Sequence, residues 1–131
     1  MTGKLYYDSY AILAYLDGHP GYARLLAENS GVTSYANLLE IHYAVLRQHG
    51  AERAQTILER FSAIITDATL EDIPPAMKLR LEHKRKRLSY TDCLGYVIAK
   101  RLGIRFLTGD KEFRGLPNVR FVTAQPLAQR S

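Results

Sequence analysis

One stretch, Ser89 to Phe113, constrains the fold more than any other. It reads as a helix, a glycine stop, a short buried strand and an acidic turn. Leu94, Val97, Ile98 and Leu102 recur at helical spacing. Lys100 and Arg101 fall in the last turn, and Gly103 stands where a helix stops. Ile104, Phe106 and Leu107 continue as a strand. Asp92 opens the helix and Asp110 follows the strand. A helix packed on a parallel sheet starts at the sheet's carboxyl edge, and the next strand ends there. The two aspartates are therefore expected at one edge.

The remaining chain repeats this alternation. Lys4-Leu5-Tyr6-Tyr7 is β-prone and stops at Asp8. Helices are expected from Ser9 to Leu16 and from Tyr22 to Asn29, with a strand at Gly31-Val32-Thr33. Ser34 is placed as the N-cap of a helix over Tyr35–His49. That helix carries two apolar stripes, Leu38/Ile41/Val45 and Leu39/Tyr43/Leu46, which predicts burial nearly all round, with Glu40 inside it. Ala51–Phe61 is a further helix with Ala54, Ile57, Leu58 and Phe61 inward. Ala63-Ile64-Ile65 reads as a strand. Pro74-Pro75 then enters a helix with Ile73, Met77, Leu81 and Leu88 inward and Arg80, Lys84 and Arg87 outward. Val119–Val122 is the last strand, and the tail from about Thr123 is expected to be loose. The whole describes one domain over residues 1–131. Its class is α/β, a three-layer α/β/α sandwich with a short-stranded, mainly parallel central sheet.

On that architecture Asp8, Glu40, Asp92 and Asp110 all fall at the carboxyl edge, where open α/β sheets bind ligands. Four carboxylates crowded together stay ionised only with a cation among them. The donors are hard oxygens without paired cysteine or histidine, which selects Mg²⁺ or Mn²⁺ over zinc or copper. Each acid also has a structural explanation. Asp8 suits a helix N-cap, Ser89 and Asp92 form a capping-box pattern, and Asp110 suits a turn. Glu40, set among Leu38, Leu39 and Ile41, is the hardest to explain without a partner.

Composition narrows the setting. The net charge of +5 among 131 residues is compatible with a polyanionic partner. A single cysteine excludes an internal disulfide and favours a reducing compartment. With no apolar run of about 18 residues and no signal-peptide core near the start, a cytoplasmic protein without a membrane contact is expected. His42 is expected as a satisfied core histidine and Cys93 as a small packing residue.

The four acidic segments together resemble a known family. Tyr7-Asp8-Ser9, Asn37-Leu38-Leu39-Glu40, Ser89-Tyr90-Thr91-Asp92 and Phe106-Leu107-Thr108-Gly109-Asp110-Lys111-Glu112-Phe113 are similar, in order and spacing, to the acidic motifs of PIN-domain ribonucleases. Size and order match the VapC-type toxins of toxin–antitoxin pairs. The resemblance implies a Mg²⁺- or Mn²⁺-dependent endoribonuclease with Asp8, Glu40, Asp92 and Asp110 as catalytic, metal-holding acids. It implies supporting roles for Ser9, Thr108 and Glu112. RNA is the implied substrate, a cognate antitoxin the implied partner, and a homodimer the implied assembly. Tyr10 departs from the small polar residue common after the first Asp-Ser/Thr pair. Arg80, Lys84 and Arg87 are candidates for RNA contact.

Two rivals stay open on sequence grounds. A receiver-like domain would take phosphate on an aspartate such as Asp67, but it needs an acidic pair where Asp8 is flanked by Tyr7 and Ser9. A non-catalytic PIN-like RNA-binding protein would have lost acids, and none is lost here.

Overall fold

The computed structural model describes residues 3–124. Its strands are β1 (Lys4–Tyr7), β2 (Ser30–Val32), β3 (Arg105–Thr108) and β4 (Val119–Phe121). Its helices are α1 (Ser9–Leu16), α2 (Pro20–Glu28), α3 (Tyr35–His49), α4 (Ala51–Phe61), α5 (Ile73–Glu82) and α6 (Tyr90–Leu102). All strand pairs are parallel, in the order β2-β1-β3-β4. Tyr6 lies beside Val32 on one side and Phe106 on the other.

Strand alternation separates two cores. Leu5, Tyr7 and Leu107 face the layer of α1 to α4, with Ile12, Leu38, Ile41, Ile57 and Phe61. Tyr6 and Phe106 face the layer of α5 and α6, with Ala76, Leu88, Cys93, Tyr96, Ile98 and Phe113. The sheet is thus covered on both faces, as the α/β/α reading requires. In the second core Phe106 meets Phe113 at 4.7 Å between ring centroids and Tyr6 at 5.5 Å. Such pairs add about 0.5–1.5 kcal/mol each beyond area burial. Gly103 ends α6 in the left-handed conformation, φ 69°, directly before β3. No helix is long and apolar enough to cross a membrane among the described residues.

Several expectations are corrected. Ala63-Ile64-Ile65 is not a strand. Residues Ser62–Ile64 form one 3₁₀ turn continuing α4, and the sheet is met only by an isolated Thr33–Ile65 bridge. The helix before has run to Phe61, so only one residue reaches the edge of the sheet. On α3 the stripe Leu38/Ile41/Val45 is buried, but Leu39 and Tyr43 are 74% and 65% exposed. Only one side of α3 packs on the domain, so this helix is not buried all round. In α5 the two prolines occupy the first turn, where no amide partner is needed. The small Ala76 faces inward, while Ile73 and Leu81 are exposed; Leu88 is buried but lies beyond the helix. Lys84 and Arg87 are likewise not on a helix face. α5 stops at Glu82, and Lys84-Arg85-Lys86-Arg87 forms a turn and loop leading to α6. Four adjacent cations oppose a helix, and Lys86 and the Arg87 amide are instead bonded to Glu112. The tail expectation falls mostly outside the described residues. At their edge, Ala124 exchanges hydrogen bonds with the Tyr10 hydroxyl through both its N–H and its C=O.

Candidate active site

The strand order creates the crevice. The chain leaves β1 for β2 on one side and β3 for β4 on the other, so the connections part between β1 and β3. Open α/β sheets bind ligands at the carboxyl ends of such neighbours. Asp8 follows β1, and Thr108 and Asp110 end β3. α6 begins at the same edge, as expected from Ser89–Phe113, and brings Asp92.

Asp8 is 3% exposed. It stands at the N-cap of α1 but makes no side-chain capping bond. The Thr108 hydroxyl donates to its Oδ2 at 2.7 Å and accepts from the Asp110 amide at 3.1 Å. One hydroxyl therefore joins the ends of both central strands. Gly109 between them is required: a Cβ there would lie 2.3 Å from the Tyr10 ring and from the Val122 carbonyl. This explains the departure at Tyr10, whose ring closes against Gly109 while its hydroxyl holds Ala124.

The other acids are held in similar fashion. Ser9 donates to Glu40 Oε1 at 2.6 Å. Ser9 in turn accepts from Asn37 Nδ2 at 2.9 Å, and Asn37 Oδ1 accepts from the Tyr6 and Ser34 hydroxyls. Asp92 Oδ2 accepts from the Ser89 amide at 2.8 Å, completing a capping box. Asp110 Oδ1 accepts from the Glu112 amide at 3.0 Å. Capping thus aims these two carboxylates rather than accounting for them fully. All four acids have one oxygen committed to a hydrogen bond, and the second has no side-chain partner among the described residues.

Their charges interact. Burial, then the charges of Asp92 and Glu40, push the Asp8 carboxyl up to about 7, against partial relief from Thr108. Asp92 is raised by burial and by the charges of Asp110 and Glu40, with its Ser89 bonds acting the other way. The four predicted acids are therefore brought within electrostatic reach of one another. No three acidic, histidine or cysteine side chains among the described residues stand close enough to clasp an ion as placed. Acids set this far apart could hold a cation only with water between it and some of the carboxylates. Mg²⁺ keeps several waters and takes only one or two carboxylates directly.

Some site residues sit differently from expectation. Glu40 is exposed, so cost of burial does not explain it. Glu112 accepts from the Arg87 amide at 3.2 Å and its carbonyl accepts from Lys86 Nζ at 3.0 Å, which fastens the basic loop to the acidic turn. His42 is half-buried with an unpartnered Nδ1, not a satisfied core residue. Cys93 is buried as expected, and burial pushes its thiol up to about 11. Asn37 was missed as a positioning residue. Its signal was a lone amide on an apolar helix face three residues after the Ser34 cap.

The PIN domain family model matches residues 5–119. The chain belongs to the PIN domain family. Several solved structures share the fold of this PIN domain. A toxin–antitoxin complex from Klebsiella pneumoniae is 18% identical at TM-score 0.75, covering 92% of this chain and 99% of that one. Mycobacterium tuberculosis VapC20, described as a Sarcin-Ricin loop cleaving toxin, is 20% identical at TM-score 0.73, covering 93% and 99%. VapBC2 from Rickettsia felis, bound to a promoter DNA fragment, is 22% identical at TM-score 0.71, covering 93% and 99%. No curated protein matches the chain by sequence. Membership excludes the receiver-like rival, and Asp67 lies on an exposed loop where its carbonyl accepts from Arg101.

Proposed function

We propose that this PIN domain is a Mg²⁺- or Mn²⁺-dependent endoribonuclease, the toxin of a toxin–antitoxin pair. The observation that carries the reading is the Asp8 carboxyl, buried at the crevice between β1 and β3 and raised first by that burial and then by the charges of Asp92 and Glu40. A site that gathers acids against their own repulsion is organised for a cation. Asp8, Glu40, Asp92 and Asp110 would hold it. When bound there, a divalent ion supplies an acidified water and stabilises charge developing on a phosphodiester. The chain's own part is positioning. Thr108 orients Asp8, Ser9 and Asn37 orient Glu40, and the two caps orient Asp92 and Asp110. The likeness to VapC20, a Sarcin-Ricin loop cleaving toxin by its description, and to toxin–antitoxin complexes supports RNA as substrate and an antitoxin as partner. The exposed face of α3 supports a homodimer, because Tyr35, Leu39, Tyr43 and Leu46 together leave an apolar groove uncovered.

The test uses purified protein free of any antitoxin. Single-stranded RNA is cut with Mg²⁺ or Mn²⁺, and cutting stops with EDTA. Asp92→Asn keeps the α6 cap, since asparagine also caps well, yet loses activity by orders of magnitude. Equal cleavage in EDTA, or full activity in Asp92→Asn, overturns the reading.

A further inference from the structure

The loop before α6 ends on an aromatic ring with no evident use in the fold. Tyr90 opens α6 and is 63% exposed. The Arg80 guanidinium lies over this ring, 4.6 Å from its centroid. Arg80 Nε donates to the Leu88 carbonyl at 3.2 Å, which holds the guanidinium in place. Its two terminal nitrogens, and the Tyr90 hydroxyl, make no hydrogen bond among the described residues. An exposed cation–π pair adds little stability, so a ring and a cation ordered at the surface point outward, to a ligand.

The surroundings specify its charge. Lys78 to Tyr90 contains six of the chain's 18 lysines and arginines and one acid, Glu82. Lys86 is occupied by the Glu112 carbonyl, whereas Lys84, Arg85 and Arg87 are exposed. Glu112 also holds the Arg87 amide and donates its own amide to Asp110. The basic strip is therefore fastened to the acidic turn, at the mouth of the crevice.

We infer that Arg80 and Tyr90 form a stacking platform for an unpaired RNA base, flanked by cations that track the phosphates. This deepens the ribonuclease reading and rests on it. Tyrosine faces and guanidinium planes both stack on bases splayed from single strands, without needing a particular sequence. Tyr90 and Asp92 both lie in the first turn of α6, so the platform and the acids share one end of that helix. A strand whose phosphate meets the acids passes this end of α6, where the exposed ring offers its face to an unpaired base. Bases paired in a duplex are not free to do so, which makes the platform a selector for single strands and loops.

The experiment measures binding of a fluorescein-labelled single-stranded RNA in EDTA, where no cleavage intervenes, with cleavage in Mn²⁺ assayed separately. Tyr90→Ala weakens binding by roughly five- to 150-fold. Tyr90→Phe and Tyr90→Trp retain wild-type affinity, and duplex RNA of equal charge is bound alike by all four proteins. The slope of log affinity against log salt is unchanged in Tyr90→Ala but falls by roughly 0.7 in Lys84→Ala, which removes a flanking cation. Melting temperatures of the Tyr90 variants match wild type, which separates base contact from a structural role. Wild-type affinity in Tyr90→Ala, with cleavage intact, overturns the platform and leaves the nuclease standing. A wild type that neither binds nor cuts RNA overturns both.

Discussion

Asp8 is buried beside other acids, so its ionised form opposes the stability of the metal-free fold. Its folded carboxyl is raised from 3.8 to about 7, chiefly by burial, so the metal-free fold binds that proton more tightly than the unfolded chain does. The stability it contributes is complete below the unfolded value and is lost as pH rises through about 7. In EDTA the wild type should therefore melt lower at pH 7.5 than at pH 5. Asp8→Asn should melt higher than wild type at pH 7.5 and show a weaker pH trend. Mn²⁺ should restore the wild type by mass action and do much less for the variant. Thermal melts across this grid check it. Asp8, Asp92 and Asp110 could be placed at one edge from the sequence because capping positions follow strand and helix ends, whereas Glu40 lies inside α3. Thr108 could be suspected only by resemblance, since its bond to Asp8 crosses the chain from residue 108 back to residue 8.

Among the elements, α5 and α6 are tied at their far ends by Asp72 and Arg101. Asp72 is 2% exposed and takes two bonds from the Arg101 guanidinium, at 2.9 and 3.1 Å, as well as one from the Thr69 amide. Burial alone would raise its carboxyl, but these bonds and the Arg101 charge bring it below the usual range. This contribution is present above the unfolded pKa and lost as pH falls through the folded one. Asp72→Asn should lower stability by roughly 1.5–3 kcal/mol near neutral pH, with the difference closing in acid. The figure is below that of a fully buried pair because Arg101 is 35% exposed. Urea unfolding at pH 7 and pH 3 measures it. Neither residue stood out in the sequence, where Arg101 looked only like a cation suited to a helix end. The helix spans themselves were legible: Tyr35–His49, Ala51–Phe61 and α6 follow their apolar periods and stops. Which face packs was less so. The two stripes of α3 look equally apolar, and only the layer around it decides that Leu38 goes in and Leu39 stays out.

For the whole molecule, that uncovered side of α3 bears on assembly. Leu39→Glu places a charge on an exposed position, so the fold should persist while a homodimer built on this face falls to monomer. Sedimentation velocity at micromolar protein, with a thermal melt as control, tests it. An unchanged dimer would place the interface elsewhere. The parallel, two-faced sheet was legible from alternation, but strand order was not, because hydrophobic pattern names buried strands without naming their neighbours. That order has a temporal meaning. Asp8 is made early, yet Thr108 and Asp110, the groups that complete its surroundings, lie some hundred residues later along the chain. Tyr22 and Tyr10 similarly wait for Val122 and Ala124. A growing polypeptide on the ribosome therefore carries an incomplete crevice through most of its synthesis. The crevice is thus completed only when the last strands are made, a delay set by topology alone.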